Sequence, residues 1–183
     1  MAGYVSYRVA AFVSRRLPLR LAYWVGLRSA DLFYLLAARD RAGVQANLRQ
    51  VFAGRGIRPA RMALRGLTRK TFQYFGKYLV DFFRYARLSP EDVAKRVSIE
   101  HEEYLAEAHR MGRGVLVVTA HFGNWELGGG VLTALGYHVH AVVMPQRMKR
   151  LEDLLSRQRE RRGLHLIPVG SAARGSLRAL RQG

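Results

Sequence analysis

The stretch Gly114-Val-Leu-Val-Val-Thr-Ala-His121-Phe-Gly-Asn-Trp-Glu126-Leu-Gly-Gly-Gly130 carries the strongest structural signal in the chain. Residues 114–119 form a short apolar run, typical of a strand buried in a sheet, and residues 124–135 have the pattern of a helix. The histidine between them would reach the carboxyl edge of the sheet, where open α/β sheets bind their ligands. The stretch therefore predicts an α/β fold and the position of a site within it.

Short apolar runs alternate with helical patterns on both sides of this stretch, as in parallel α/β sheets. We predict strands at residues 97–101, 139–144 and 165–168, and helices at residues 102–110, 149–162 and 172–182. The result is an α/β domain at residues 89–183 with a mostly parallel sheet flanked by helices. Because the last predicted helix is not followed by a returning strand, we expect an N-terminal fragment of a longer fold.

The preceding residues 1–88 are predicted to be a helical, cationic region. Residues 1–90 carry 17 basic and three acidic side chains. A long helix is predicted at residues 59–87, and we expect its aromatic-rich stripe to face a core; the stripe is Phe72, Phe75, Leu79, Phe82 and Phe83. Ser89 and the proline after it predict the start of the next helix.

Residues 17–38 are rich in large apolar side chains but also contain Arg20, Arg28 and Asp31. Charges at the centre of a membrane span are costly, although an ion pair between Arg28 and Asp31 at i, i+3 would lower that cost. An amphipathic helix lying at a membrane surface is the favoured interpretation. A tilted membrane span and an ordinary core helix remain alternatives.

The composition narrows the classes of function. The 183 residues contain 31 Lys plus Arg against 13 Asp plus Glu, a net charge of +18, so the partners should be anionic. Since 27 of the 31 cations are Arg, part of this excess reflects residue usage rather than function. The absence of cysteine from the sequence excludes a disulfide framework, a thiol nucleophile and a cysteine-ligated metal site.

His121 and Glu126 have the spacing of a base and its orienting acid across a strand-to-helix turn. With Gly123 in a tight turn, Glu126 would lie in the first helical turn, where the helix dipole favours a carboxylate. The carboxylate would fix the imidazole tautomer, and the other ring nitrogen would accept a proton from a substrate hydroxyl. Backbone N–H groups of residues 123–125 could stabilise an oxyanion. A histidine that merely ends the strand is the alternative.

The segment His121-Phe-Gly-Asn-Trp-Glu126-Leu-Gly resembles the His-x4-Glu/Asp signature of the bacterial lipid A biosynthesis acyltransferases, within the lysophospholipid acyltransferase-like superfamily. Further stretches are similar to this family, and together they span most of residues 40–183: Asn47-Leu-Arg-Gln-Val-Phe52, Phe75-Gly-Lys-Tyr-Leu-Val-Asp-Phe82, Arg113-Gly-Val-Leu-Val-Val-Thr119 and Leu177-Arg-Ala-Leu-Arg-Gln-Gly183.

The resemblance implies a glycerolipid acyltransferase-like core that moves a fatty acyl group from acyl carrier protein or acyl-CoA to a hydroxyl of a lipid A precursor or a related membrane glycolipid. It implies no cofactor and no metal. His121 would be the general base and Glu126 its partner, while the intervening turn residues Gly123, Asn124 and Trp125 would bind substrate.

Many relatives have an Arg-Pro pair after the next strand, where this chain has Met144-Pro145-Gln146-Arg147. Arg147 is therefore a candidate substrate contact, and Lys149 and Arg150 are alternatives for the same role. The resemblance also implies attachment to anionic lipids at the cytoplasmic face of the bacterial inner membrane.

Two other functions stay open: an inactive, truncated fragment that only binds membranes, and an Arg-rich nucleic-acid-binding domain. The latter lacks any nucleic-acid-binding fingerprint, so no nucleic-acid partner is expected.

Overall fold

A computed structural model describes residues 2–84, 89–146 and 148–182 of the chain. The elements in chain order are α1 (Ala2–Arg16), α2 (Leu19–Leu36), α3 (Ala38–Ala53), α4 (Arg61–Arg84), α5 (Pro90–Arg96), α6 (Glu102–Arg110), α7 (Trp125–Ala134), β1 (His140–Val143), α8 (Lys149–Glu160), β2 (His165–Pro168), a short 3-10 turn (Val169–Ser171) and α9 (Ala172–Leu180). The chain divides into two compact units, Arg8–Arg84 and Met1–Tyr7 with Tyr85–Gly183.

The helical unit Arg8–Arg84 is built on the packing of α2 against α4. Along α4 every fourth residue is buried, which places one straight stripe in the core: Leu64, Thr68, Phe72, Gly76 and Val80. Thr68 is fully buried, and its hydroxyl donates a hydrogen bond to the carbonyl oxygen of Leu64 at 2.7 Å. The hydroxyl is therefore satisfied inside the apolar contact.

The aromatic stripe predicted for this helix is only partly correct. Phe72, Phe82 and Phe83 are buried as predicted, but Phe75 is 51% exposed and Leu79 is only half-buried. The contact surface runs through Gly76 and Val80 instead, because α2 approaches α4 at Gly26 too closely for large side chains. Of the predicted helix 59–87, residues 85–87 lie outside the described part of the chain.

Arginine side chains link the ends of the helices in this unit. Arg84 donates hydrogen bonds to the carbonyl oxygens of Ser14 at 2.5 Å and Leu17 at 2.7 Å, at the end of α1. In return, Arg15 donates to the carbonyl oxygen of Phe83 at 3.0 Å, near the end of α4. The last carbonyl groups of a helix lack hydrogen-bond partners within the helix. Cations at this C-terminal end also interact favourably with the negative end of the helix dipole. Part of the arginine content is therefore structural.

The second unit contains a parallel two-stranded sheet formed by the consecutive elements β1, α8 and β2. His140 lies opposite His165 and Val143 lies opposite Pro168. Helix α9 packs on both strands, and the contact of Gly175 with the side chain of Ile167 is close. The predicted parallel strand–helix–strand arrangement is present, but the described residues form only two strands.

Two strand predictions are wrong. Residues 97–101 form neither a strand nor a bridge, and residues 114–119 lack strand pairing. Leu116 and Val118 are 72% and 88% exposed rather than buried. An apolar run specifies a preference for burial but not a hydrogen-bonding partner, and β1 and β2 pair with each other rather than with residues 114–119.

The helix predictions in this unit are confirmed at α6, α7, α8 and α9, with ends that differ by up to two residues. The predicted start of α5 is also confirmed. The hydroxyl of Ser89 accepts a hydrogen bond from the backbone N–H of Asp92 at 3.1 Å, and the Asp92 carboxylate accepts one from the backbone N–H of Ser89 at 3.3 Å. This reciprocal capping box satisfies two backbone donors.

Candidate functional site

His121 lies in the turn that leads into α7. Gly123 has a φ of +61°, in the left-handed region that glycine adopts without strain. Asn124 then caps the helix, because its side-chain oxygen accepts a hydrogen bond from the backbone N–H of Leu127 at 3.1 Å. The predicted tight turn followed by a helix is confirmed, and it places His121 before the positive end of the helix dipole.

The imidazole of His121 is exposed and packs on an aromatic neighbour. Its ring centroid lies 4.5 Å from that of Trp125, with 33° between the ring planes. This contact holds the imidazole beside the first turn of α7, in a residue that is exposed as a whole. An exposed imidazole in this position can accept a proton from a bound hydroxyl.

Glu126 is buried and paired with an arginine. Its side chain is 8% exposed, and both of its carboxylate oxygens accept hydrogen bonds from Arg159 on α8. The distances are 2.6 Å and 3.1 Å to Oε1 from Nη2 and Nε, and 3.2 Å to Oε2 from Nε. A buried carboxylate requires such a counterion, and the forked guanidinium provides it in a bidentate arrangement.

The expected hydrogen bond between Glu126 and His121 is therefore absent from this structure. The two residues lie five positions apart at the start of α7, as the sequence predicts, but the carboxylate is directed to Arg159. The catalytic roles predicted for His121, as general base, and for Glu126, as its partner, stay predictions.

Further contacts fasten α7 to the segment between α8 and β2. The hydroxyl of Thr133 donates to the carbonyl oxygen of Arg162 at 2.5 Å, and the guanidinium of Arg162 donates to the backbone oxygen of Glu126 at 3.4 Å. A Cβ on Gly129 would lie 3.1 Å from the side chain of Leu164. The helix that carries Glu126 is thus held closely against the element that carries Arg159.

The other predicted substrate-binding residues divide into two groups. Gly123, Asn124 and Trp125 form the turn around His121, where the sequence places them. Arg147 lies outside the described residues. The turn is therefore the part of the predicted substrate site that the structure describes.

Arg159 is the site residue that the sequence analysis does not identify. It belongs to the basic run at residues 157–162, which has the pattern of a solvated helix face. The available signal is Glu126 itself, because an acid next to the apolar, glycine-rich turns of α7 needs a cation if it is buried. The sequence does not specify which of the several arginines supplies that charge.

Away from the His121 turn, two histidines lie side by side at the start of the sheet. The rings of His140 and His165 stack with centroids 4.9 Å apart. Burial, and then the neighbouring imidazoles of His165 and His138, lower the pKa of His140 from its ordinary value. Within the described residues, no three His, Asp or Glu side chains converge as ligands for a metal ion.

The outward surface of α2 is apolar, although its other side packs on α4. Its exposed side chains follow helical spacing along one stripe: Leu21, Trp24, Leu32 and Leu35. Arg28 lies within the same stripe and pairs with Asp31 at 3.2 Å, which confirms the predicted i, i+3 ion pair. Among the described residues, no helix combines the length and the apolar character that a membrane crossing requires.

Comparison with known proteins places these features in a family. The model of the bacterial lipid A biosynthesis acyltransferases matches residues 3–183, which include both α2 and the whole His121 turn. The chain belongs to the bacterial lipid A biosynthesis acyltransferase family. Neither a curated protein nor a solved structure shows significant similarity to it. This member of the lipid A acyltransferase family is accordingly an acyltransferase.

Proposed function

We propose that the chain transfers a fatty acyl group from acyl carrier protein, or from acyl-CoA, to a hydroxyl of a lipid A precursor or related membrane glycolipid. The observation that carries this proposal is the accessible imidazole of His121 at the start of α7, inside a segment matched by the family. In this mechanism His121 is the general base and Glu126 its acidic partner.

The proposed reaction begins when an imidazole nitrogen of His121 takes the proton of the acceptor hydroxyl. The hydroxyl oxygen attacks the thioester carbonyl and forms the new ester bond through a tetrahedral intermediate. The carbon–sulfur bond then breaks, and the departing thiolate receives the proton from the imidazolium. General base catalysis of this kind contributes about 10² to 10⁴ in rate.

The turn would contribute electrostatic stabilisation to the same step. Backbone N–H groups in the first turn of a helix are directed toward its N-terminal end, where they favour developing negative charge. In α7 these groups follow Asn124, beside the imidazole of His121. We infer that the thioester oxygen lies near this helix end and that Gly123, Asn124 and Trp125 shape its surroundings.

The deciding experiment measures acyl transfer by the purified chain, with acyl carrier protein or coenzyme A thioesters as donors and a lipid A precursor as acceptor. We expect His121→Ala to lose about 100-fold or more in rate. His138→Ala, which removes another exposed histidine of the same unit, should retain normal activity. Retention of more than about a tenth of the rate by His121→Ala would refute the assignment of the base.

We also infer that the chain works at the cytoplasmic surface of the bacterial inner membrane. The exposed stripe of α2 combines Leu21, Trp24 and Leu35 with arginines in a unit that has few acids. Apolar side chains would enter the headgroup boundary, while each basic residue close to an anionic surface contributes about 1 kcal/mol. At the membrane surface the enzyme would reach the glycolipid acceptor in the membrane. It would also stay accessible to the acyl donor, which is soluble.

Vesicle binding tests this location. We expect Trp24→Glu to weaken sedimentation with phosphatidylglycerol-containing vesicles about tenfold, because it places a charge in the proposed membrane stripe. Met62→Glu is the matched control, since Met62 is also exposed in this unit but lies on α4. Equal losses in both variants, or none in Trp24→Glu, would show that the α2 stripe is not the membrane surface.

A further inference from the structure

The outward face of α9 is cationic. The other side of this helix packs on the two strands, where Gly175 contacts the side chain of Ile167. Four exposed side chains at the end of the chain lie three or four residues apart and therefore share the outward side of the helix, which we call the basic face: Arg174, Leu177, Arg178 and Arg181. Arg181 directly follows the last residue of α9 and keeps helical backbone angles.

The basic face has no acidic counterpart in its own part of the chain. Residues 161–183 contain neither Asp nor Glu. None of the three arginines forms an ion pair with another described residue. Because like charges three or four residues apart repel each other on a helix, this arrangement is electrostatically unfavourable in the isolated chain. An anionic partner would relieve the repulsion.

The high arginine content of the chain does not explain this arrangement. Helix α8 also contains four basic residues, but three acidic residues lie among them. Helix α6 has the opposite character, with three glutamates and one arginine. Among the helices α5 to α9, α9 alone combines arginines with no acid. General arginine usage accounts for the number of cations, but it does not account for the absence of acids from this one helix.

The basic face belongs to the same compact unit as His121. A Cβ on Gly114 would lie 2.8 Å from the carbonyl oxygen of Leu180, so the run that leads to His121 starts beside the end of α9. Arg113, directly before Gly114, is exposed and adds positive charge at this contact. Even when fully extended, residues 114–121 span at most about 25 Å. The turn that contains His121 is therefore within about that distance of the basic face.

An acidic protein surface fits the basic face better than a membrane does. A helix that binds a membrane surface inserts a broad apolar side, as proposed for the exposed stripe of α2. In α9 the sheet covers the apolar side, and Leu177, 58% exposed, is the large apolar side chain between the outward arginines. Guanidinium groups bind carboxylates in a fixed, forked geometry, which suits the acidic side chains of a folded partner.

We propose that the basic face of α9 docks an acidic surface of the acyl carrier protein, which is thereby the acyl donor. This inference rests on the proposed function, which allows either acyl carrier protein or acyl-CoA as donor. Both donors present the thioester on the same phosphopantetheine arm, but only the carrier protein adds a protein surface. A face that recognises such a surface therefore selects between the two donors and brings the arm to the unit that contains His121.

Binding of acyl carrier protein without an acyl group to the full chain tests this surface, by fluorescence anisotropy at low and high salt. We expect Arg178→Glu to weaken binding about tenfold or more, because it places like charges opposite each other. Arg157→Glu is the matched control, since it makes the same charge change at an exposed position on α8, and it should bind like the wild type. Equal losses in the two variants would overturn the proposal. Salt should weaken wild-type binding more than binding of Arg178→Glu.

Acyl transfer from each donor separates docking from damage to the site. With the carrier-protein thioester, Arg178→Glu should raise KM about tenfold and leave kcat nearly unchanged. With acyl-CoA, its KM should equal that of the wild type, since this donor has no protein surface to dock. An equal increase in KM for both donors would overturn the proposal, because the arginine would then act on the arm or on the site itself.

Two controls exclude loss of fold and a membrane role. Arg178→Gln removes a repelling charge, so it should unfold at no lower temperature than the wild type while it also binds the carrier protein more weakly. Arg178→Glu should sediment with phosphatidylglycerol-containing vesicles like the wild type. Loss of vesicle binding together with unchanged carrier-protein binding would overturn the proposal and identify the basic face as a membrane surface.

The binding measurement needs no turnover, so this inference and the proposed function can fail separately. Transfer from the carrier protein that depends on His121 but is insensitive to Arg178→Glu would refute docking on α9 and agree with the proposed function. A chain that binds the carrier protein through α9 but transfers no acyl group would support the docking surface and refute the proposed function instead.

Discussion

Gly26 and Gly76 lie so close together that a Cβ atom on Gly76 would be 2.7 Å from the carbonyl oxygen of Gly26. A Cβ atom added to Gly26 would likewise lie 2.9 Å from the side chain of Val80. Helices α2 and α4 therefore cross with their backbones nearly in contact. Glycine is required here by the space between the helices, since both positions are ordinary helical residues.

We predict that Gly76→Ala destabilises the chain by about 1–3 kcal/mol, because the added methyl group forces α2 away from α4. Gly66→Ala is the matched control on the same helix, where a Cβ would meet nothing within 4 Å. That control should stabilise the chain by up to about 1 kcal/mol, since alanine is the better helix former. Urea denaturation measures both changes, and a Gly76→Ala variant as stable as Gly66→Ala would contradict the close crossing.

The arginine caps provide a second test of the helical unit. Arg84→Ala removes two hydrogen bonds to carbonyl oxygens at the end of α1, so we expect a loss of about 1.5–3 kcal/mol in unfolding free energy. Arg65→Ala, at an exposed position on the same helix, should change stability by less than about 0.5 kcal/mol. Thermal and urea unfolding compare the two. Equal effects would mean that Arg84 contributes only general charge.

Asp31 should make the stability of the helical unit depend on pH. The hydrogen bond from Arg69, then that from Gln73 and the charges of Arg69 and Arg28, lower the pKa of Asp31 from 3.8 to about 2. Because the folded-state pKa is the lower one, this stabilisation is complete above about pH 4 and is lost as the pH falls toward 2.

The stability difference between wild type and Asp31→Asn should therefore be larger at pH 6 than at pH 2. It should be about 1 kcal/mol at most, because both arginine partners are half-exposed and solvent screens their charges. Asp40→Asn serves as the control, since Asp40 forms no ion pair with another described residue. Urea unfolding at several pH values gives both differences. A difference for Asp31→Asn that does not change between pH 2 and 6 would argue against the lowered pKa.

The elements that the sequence predicts well are those specified by neighbouring residues. Ser89 and its proline determine where α5 starts, and Asn124 does the same for α7, because capping is a contact between residues three positions apart. The strand predicted at 114–119 fails for the opposite reason. Its apolar residues cannot reveal whether another strand lies beside them, since strand pairing is a long-range property.

The candidate site shows the same division. The positions of His121, Gly123 and Asn124 follow from the local order of turn, cap and helix, so they are predictable. The partner of Glu126 comes from Arg159, 33 residues further along the chain, and it depends on how α8 packs against α7. Sequence spacing alone favours the nearer His121. Burial of the carboxylate and the length of the arginine side chain favour the distant partner.

The packing of α9 on the parallel sheet offers a test of the second unit. A Cβ on Gly175 would lie 2.6 Å from Cγ2 of Ile167, at the centre of β2. Gly175→Ala should therefore push α9 off the strand and reduce stability by about 1–3 kcal/mol. Gly170→Ala, with open space around its Cβ, is the control and should have little effect. Hydrogen exchange should then show faster exchange of the β2 amides in Gly175→Ala alone, whereas equal exchange in both variants would mean that α9 does not pack on Ile167.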